Sequence, residues 1–205
     1  MVLAALGLFN VASVWRLRHV RMAELGLALV ALVGVLVFGV LGGVAVAIAL
    51  SIAVFVYRTV RPHDAVLGAV DVDGYHDISR YEVARTLPGL IVYRFDAPLF
   101  FANAEYFRQQ VRRLVRSGDK PEWFMVNAEA FIYLDATALD TLRQLHGELA
   151  AEGITLAFAR LKGRQREIFL GTGLTEQVGE GNFFPTVRAG VRAFEARDAA
   201  GVSPG

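Results

Sequence analysis

The sequence predicts an α/β domain, a mostly parallel sheet covered by helices, preceded by a transmembrane helical hairpin. Three observations predict it. Leu25–Tyr57 is a run of 33 residues without a charge or a histidine, longer than one upright membrane helix requires. Beyond Pro62 charges are interspersed, and apolar spacing switches repeatedly between periods of two and 3.6. The strand-like and helix-like segments alternate along the chain, as they do where helices cover a mostly parallel sheet.

Residues 1–15, MVLAALGLFNVASVW, are apolar but too short to span a bilayer. They lack the basic leading region of a signal peptide, and WRLRHVR stands where a small-residue cleavage site belongs. The stretch reads as the tail of a membrane helix whose start is missing, an expectation of a truncated chain. The long run that follows is too long for one upright helix. Gly39, Gly42 and Gly43 favour a break in its middle, so two antiparallel helices are expected at about 24–38 and 43–58, turning near Val40–Gly43. A single tilted helix is the alternative, and charge decides between them. Arg16, Arg18 and Arg21 precede the run, and Arg58 and Arg61 follow it. Arginines near membrane segments stay preferentially in the cytoplasm, so both ends belong on that side and the number of crossings is even. Gly39 and Gly43 also have the small-xxx-small spacing that lets membrane helices approach, although forming the turn is explanation enough for them.

Arg61–Pro62 ends the second helix, because proline lacks an amide hydrogen and restricts the residue before it. His63–Val70 and Leu90–Phe95 read as strands separated by a polar loop, YHDISRYEVARTLPG. Ala104, Phe107, Val111, Leu114 and Val115 share one helical face. Trp123–Val126 is a strand, and Ala138, Leu142, Leu145 and Leu149 form a second amphipathic helix that stops at Gly153. Ile154–Ala159 is apolar without alternation, as a strand buried on both faces should be. A short helix is expected near Arg164–Leu170, and a last helix near Val187–Ala196 with Val187, Val191 and Phe194 inward. The division is therefore a membrane segment at 1–60, a domain at 61–197 and a disordered tail at 198–205.

Residues 1–61 carry a net charge of +4 and the remainder −3, so the domain has no basic balance for nucleic acid. With no cysteine, disulfides, thiolate nucleophiles and cysteine-bound zinc are excluded. His19, His63, His76 and His146 show no ligand spacing, and no serine elbow or glycine-rich phosphate loop is present. The reading is of a non-enzyme without a metal or cofactor. The informative turn is Ile132–Asp140. Asp135 and Thr137 both suit a helix N-cap, and Thr137 with Asp140 fits the capping-box spacing. Capping is the preferred reading. The functional one is an anion site or a phosphorylated side chain at the helix N-terminus.

The order strand, helix, strand, Asp135-x-Thr137 turn, helix, strand resembles a STAS domain, the fold shared by sulfate permeases and bacterial anti-sigma-factor antagonists. Thr137 matches the phosphorylatable serine of the antagonists. RPHDAVLGAV directly after the apolar run, then GYHDI, then Tyr93–Ala104 (YRFDAPLFFANA) and FFPTV together resemble the end of the bacterial sulfate permease (SulP) family, over residues 1–197.

The resemblance implies a multi-pass protein of the inner membrane with a cytoplasmic STAS domain. The expected function is the C-terminal portion of a secondary active sulfate- or bicarbonate-type anion transporter, the STAS domain serving regulation or assembly. Expected partners are membrane lipid, the remaining transporter helices, a second copy in a homodimer, and a nucleotide or regulatory protein at the STAS domain. Because residues 1–60 resemble only the last membrane helices, no substrate-binding residue is carried over. The alternative function is a membrane-anchored STAS regulator of a nucleotide or partner protein.

Overall fold

The computed structural model describes residues 22–70, 74–81 and 83–199. The first apolar stretch, Arg16, Arg18, Arg21 and the tail at 200–205 lie outside the described residues. The chain divides into two units that part between Arg58 and Thr59.

The first unit is built on α1 (Met22–Val60), whose helical path is broken at Gly39, with φ 72° and ψ 175°. That conformation is accessible to glycine because no β-carbon obstructs it. The chain folds back there. A β-carbon on Gly34 would lie 3.4 Å from Gly43 Cα, and one on Gly43 would run into the Val35 backbone. In an unbroken helix, residues nine apart are separated by about 13 Å along the axis, so this contact requires the reversal. The expected turn at Val40–Gly43 is thus displaced to Gly39, and helix resumes at residue 40. One positive-φ glycine reverses the chain without a loop. Close approach is made by Gly34 against Gly43, not by Gly39 with Gly43. The arms, 22–38 and 40–60, are about 25 and about 31 Å long at 1.5 Å per residue, near the thickness of a bilayer core. Their outer side chains are exposed, Leu36 at 77% and Leu41 at 86%. So continuous an apolar surface suits lipid rather than water. Among the described residues this is the one helix long and apolar enough to cross a membrane.

The second unit holds a six-stranded sheet. Its strands are β1 (Asp64–Val70), β2 (Gly74–Asp77), β3 (Leu90–Phe95), β4 (Trp123–Asn127), β5 (Thr155–Ala159) and β6 (Phe183–Phe184), in the order β2-β1-β3-β4-β5-β6. β3 to β6 are parallel, while β1 is antiparallel to both β2 and β3. β2 overlaps the start of the stretch expected to be a polar loop; it pairs along the edge, Leu67 opposite Asp77, through backbone groups that its polar side chains do not advertise.

The helices are α2 (Ala104–Arg116), α3 (Ala136–Ala151), α4 (Gly163–Gly171), α5 (Leu174–Val178) and α6 (Val187–Ala199). α6 extends past the expected boundary, so residues 198 and 199 are helical. The central strand β4 is buried throughout and divides its side chains between two cores. Phe124 and Val126 join Tyr93, Phe95, Phe107 and Leu142 beneath α2 and α3. Trp123 and Met125 join Val92, Val191 and Phe194 beneath α6. α6 approaches closely at Gly190, where a β-carbon would meet the Met125 sulfur and the Phe184 ring.

Candidate functional site

The Asp135–Thr137 turn is assembled at the carboxyl end of β4. Asn127 closes the strand, and its Oδ1 accepts from the Glu129 amide at the start of a 3₁₀ turn, Ala128–Ala130. Phe131 is buried among Phe95 and Phe107, which anchors the segment. Gln165 of α4 donates to the Ile132 carbonyl at 2.8 Å. Leu134 then pairs with Leu99 of the loop after β3, and the Leu99 amide donates to the Tyr133 carbonyl at 3.2 Å. The loop that follows β3 therefore runs beside the start of α3.

Asp135 holds the two together. Its backbone is extended, with φ −103° and ψ 177°, as an N-cap requires. One carboxylate oxygen accepts from the Ala138 amide at 2.8 Å, and the other accepts from the Phe101 amide at 2.8 Å. The cap is thus Asp135 alone. Thr137 is the second residue of α3, exposed, with only its carbonyl engaged among the bonds of this turn, by the Thr141 hydroxyl at 2.8 Å. The capping box expected of Thr137 and Asp140 does not form, because Asp140 lies a turn too far along and pairs with Arg143 at 2.7 Å. Asp135 and Thr137 are brought together as neighbours on one helix N-terminus, the first partly buried and the second open to solvent.

The turn has apolar surroundings that the sequence did not disclose. Phe101 is 70% exposed, and Ile132 and Tyr133 are each 59% exposed. The doubled aromatic Phe100–Phe101 was the available signal, since two consecutive large rings in a loop cannot both face one core. Nearby, Asp64 at the start of β1 accepts from the hydroxyls of Tyr93 at 2.9 Å and Tyr106 at 3.2 Å. Burial, and then the Asp64 charge, push both phenols above their ordinary value, so they remain donors. Among the described residues no three His, Asp or Glu side chains form a cluster able to hold a metal.

The STAS domain family matches residues 81–190, more than half of the chain. A probable sulfate transporter of Mycobacterium tuberculosis is 45% identical over 199 residues, covering 96% of this chain and 36% of its own length. The chain accordingly spans little more than a third of that relative. The murine Solute Carrier 26 family member A9 anion transporter, in its inward-facing state, is similar in structure with a TM-score of 0.73 at 22% identity, over 92% of this chain and 31% of its own. The STAS domain of a SulP transporter from Vibrio cholerae has a TM-score of 0.50 at 22% identity, over 60% of this chain and 94% of its own. At those identities the two structures establish the fold alone, while the family match and the mycobacterial relative carry the sequence relationship. The chain belongs to the STAS domain family, and over 96% of its length it is similar to part of a probable sulfate transporter.

Proposed function

We propose that this chain is the C-terminal portion of a secondary active transporter for an inorganic oxyanion of the sulfate or bicarbonate type. The observation that carries this reading is the 45% identity to a probable sulfate transporter over 96% of the chain, across the apolar arms and the sheet domain alike. The arms act as scaffold and attachment. Leu25–Tyr57 contains no charged or histidine side chain to hold an anion or relay a proton, and such groups usually mark a transport path. The anion site belongs to other helices of the complete transporter, where interrupted helix ends face the ligand. In this reading the protein is a multi-pass homodimer of the inner membrane. Arg58 and Arg61 keep the STAS domain in the cytoplasm, and that domain regulates transport or assembly.

Liposome reconstitution tests the proposal. A longer in-frame protein containing this chain is expected to take up radiolabelled sulfate or bicarbonate saturably, and this chain alone no more than empty vesicles. Saturable, inhibitable uptake by the chain alone overturns the scaffold assignment. The absence of uptake by the longer protein overturns the transporter reading.

The second reading is a membrane-anchored STAS regulator that binds a nucleotide or a partner protein. It is favoured by one feature, the exposed apolar rim of Phe101, Ile132 and Tyr133 beside an open Thr137. In either reading we assign Asp135 to holding the turn and Thr137 to any phosphoryl regulation. Stoichiometric phosphate on Thr137 in protein isolated from its host is the outcome that supports the regulatory role.

A further inference from the structure

A cleft of about 450 Å³ opens at the carboxyl ends of β3, β4 and β5, on the face covered by α6. This is the opposite face from the Asp135–Thr137 turn, whose helix packs into the other core. In open α/β sheets the carboxyl ends of the strands are where ligands bind.

Three arginines line the cleft from three separate places in the chain: Arg94 near the end of β3, Arg160 directly after β5, and Arg188 in the first turn of α6. Among the described residues of the lining Glu129 is the one acidic residue, so that they carry a net charge of +2. Arg94 is steadied by Asp96 at 2.7 Å and Arg160 by Glu129 at 2.6 Å. Each guanidinium has five N–H donors, so one carboxylate leaves donors for a second acceptor.

A buried amide completes the wall. Asn127 is only 5% exposed, and its Oδ1 is engaged by the Glu129 amide. Asn127 belongs to the cleft lining, and no acceptor within the described residues engages its NH₂ group. Thr186 caps α6 through the Ala189 amide at 3.1 Å, and no acidic residue occupies the first turn of that helix. The positive end of the α6 dipole is therefore not neutralised from within.

The backbone carries a further sign. Arg160 has φ 61°, the one left-handed non-glycine residue among those described. Its amide donates to the Phe184 carbonyl at 3.0 Å, which pins the unfavourable conformation. Strain of this kind persists where the surrounding structure imposes it, and it clusters at binding and active sites.

We propose that this cleft binds a tetrahedral oxyanion of the sulfate and phosphate class, held by Arg94, Arg160 and Arg188 with the Asn127 amide. Planar guanidinium forks match two oxygens of such an anion at once, which a spherical halide cannot offer. The cleft is larger than one such anion, so it also admits the organic remainder of a phosphate ester. The proposal holds whether or not the chain forms part of a transporter.

The test is calorimetric titration of the full chain in detergent with sodium sulfate, sodium phosphate and phenyl phosphate, against sodium chloride at equal ionic strength. Saturable binding of at least one tetrahedral anion, and not of chloride, is expected. Tighter binding of phenyl phosphate than of inorganic phosphate identifies an ester as the ligand, and preference for sulfate identifies a free inorganic anion. Arg188→Gln and Arg160→Gly should each weaken binding about tenfold, as expected for a lost charged hydrogen bond. Arg116→Gln, exposed at the end of α2 and outside the lining, should leave binding unchanged. Glycine accepts the backbone angle at position 160, so Arg160→Gly should melt no lower than the parent, which separates lost binding from lost folding. Absence of saturable binding by all three anions overturns the proposal. So does an affinity that neither Arg188→Gln nor Arg160→Gly alters.

Discussion

Asp135 shows how much can rest on one carboxylate at a helix start. It satisfies the Ala138 amide of α3 and the Phe101 amide of the preceding loop. Asp135→Ala removes both partners and should lower stability by about 1–2 kcal/mol. Thr137→Ala, at an exposed position that caps nothing, should cost less than about 0.5 kcal/mol. Urea unfolding followed at Trp123 measures both, and a larger loss for Thr137→Ala would reverse the assignment. Protonation provides a second test. Burial lowers the His146 pKa from its ordinary value of 6.5, so the folded state resists charging it. That contribution is present above about pH 6.5 and is lost as pH falls through the folded value. The Ser79 hydroxyl, more than any other group, holds Asp77 below 3.8, so its contribution persists until more strongly acid conditions. His146→Gln should therefore flatten the stability profile between pH 7 and pH 5, and Ser79→Ala should shift acid unfolding to higher pH.

Among the elements, the folded-back helix α1 depends on glycine in two different ways. Gly39 supplies the positive φ of the reversal, and Gly34 and Gly43 supply the space for the arms to meet. Gly43→Val should disrupt the contact, because even a β-carbon there collides with the Val35 backbone. Gly26→Val should be tolerated, since nothing lies within 4 Å of a β-carbon at that position. Yield and melting temperature of the full chain in detergent distinguish the two, and equal tolerance would deny the close approach. The sheet domain offers a contrast. Its helices are held by side chains that interdigitate, and among their described glycines only Gly190 of α6 leaves no room for a β-carbon, against Met125.

For the whole molecule, charge predicts topology. With Arg16, Arg18 and Arg21 before the apolar run and Arg58 and Arg61 after it, both flanks are expected in the cytoplasm. Because the chain has no cysteine, Ser13→Cys, Ser79→Cys and Ser117→Cys each create a single reporter thiol. An impermeant reagent added outside intact cells should label none of them. Labelling of position 13 alone would convert the fold-back into a single crossing. A second expectation is independence. Residues 62–205 contain every strand and both hydrophobic cores, so they should be soluble and cooperative without detergent, whereas the full chain should require it. Aggregation of the shorter piece would place the boundary elsewhere.

Periodicity and composition by themselves determined the apolar segment, the strands β1, β3, β4 and β5, and the amphipathic faces of α2 and α3. These are local properties: a charge-free run, an alternation or a helical stripe is visible wherever it stands in the chain. Only the tertiary structure decided the edge strand β2, the two-residue β6, the reversal at Gly39 and the choice of Asp135 over Thr137 as cap. Each depends on a partner distant in sequence or on a backbone angle. Polar GYHD becomes a strand because β1 offers it an edge, and Asp135 outcompetes Thr137 because the extended backbone that a cap requires falls there and the Phe101 amide lies within its reach. The arginine cleft was hidden for the same reason. Arg94, Arg160 and Arg188 are far apart in the chain, and only the parallel arrangement of β3 to β6 brings the ends of their strands, and the start of α6, to one side of the sheet.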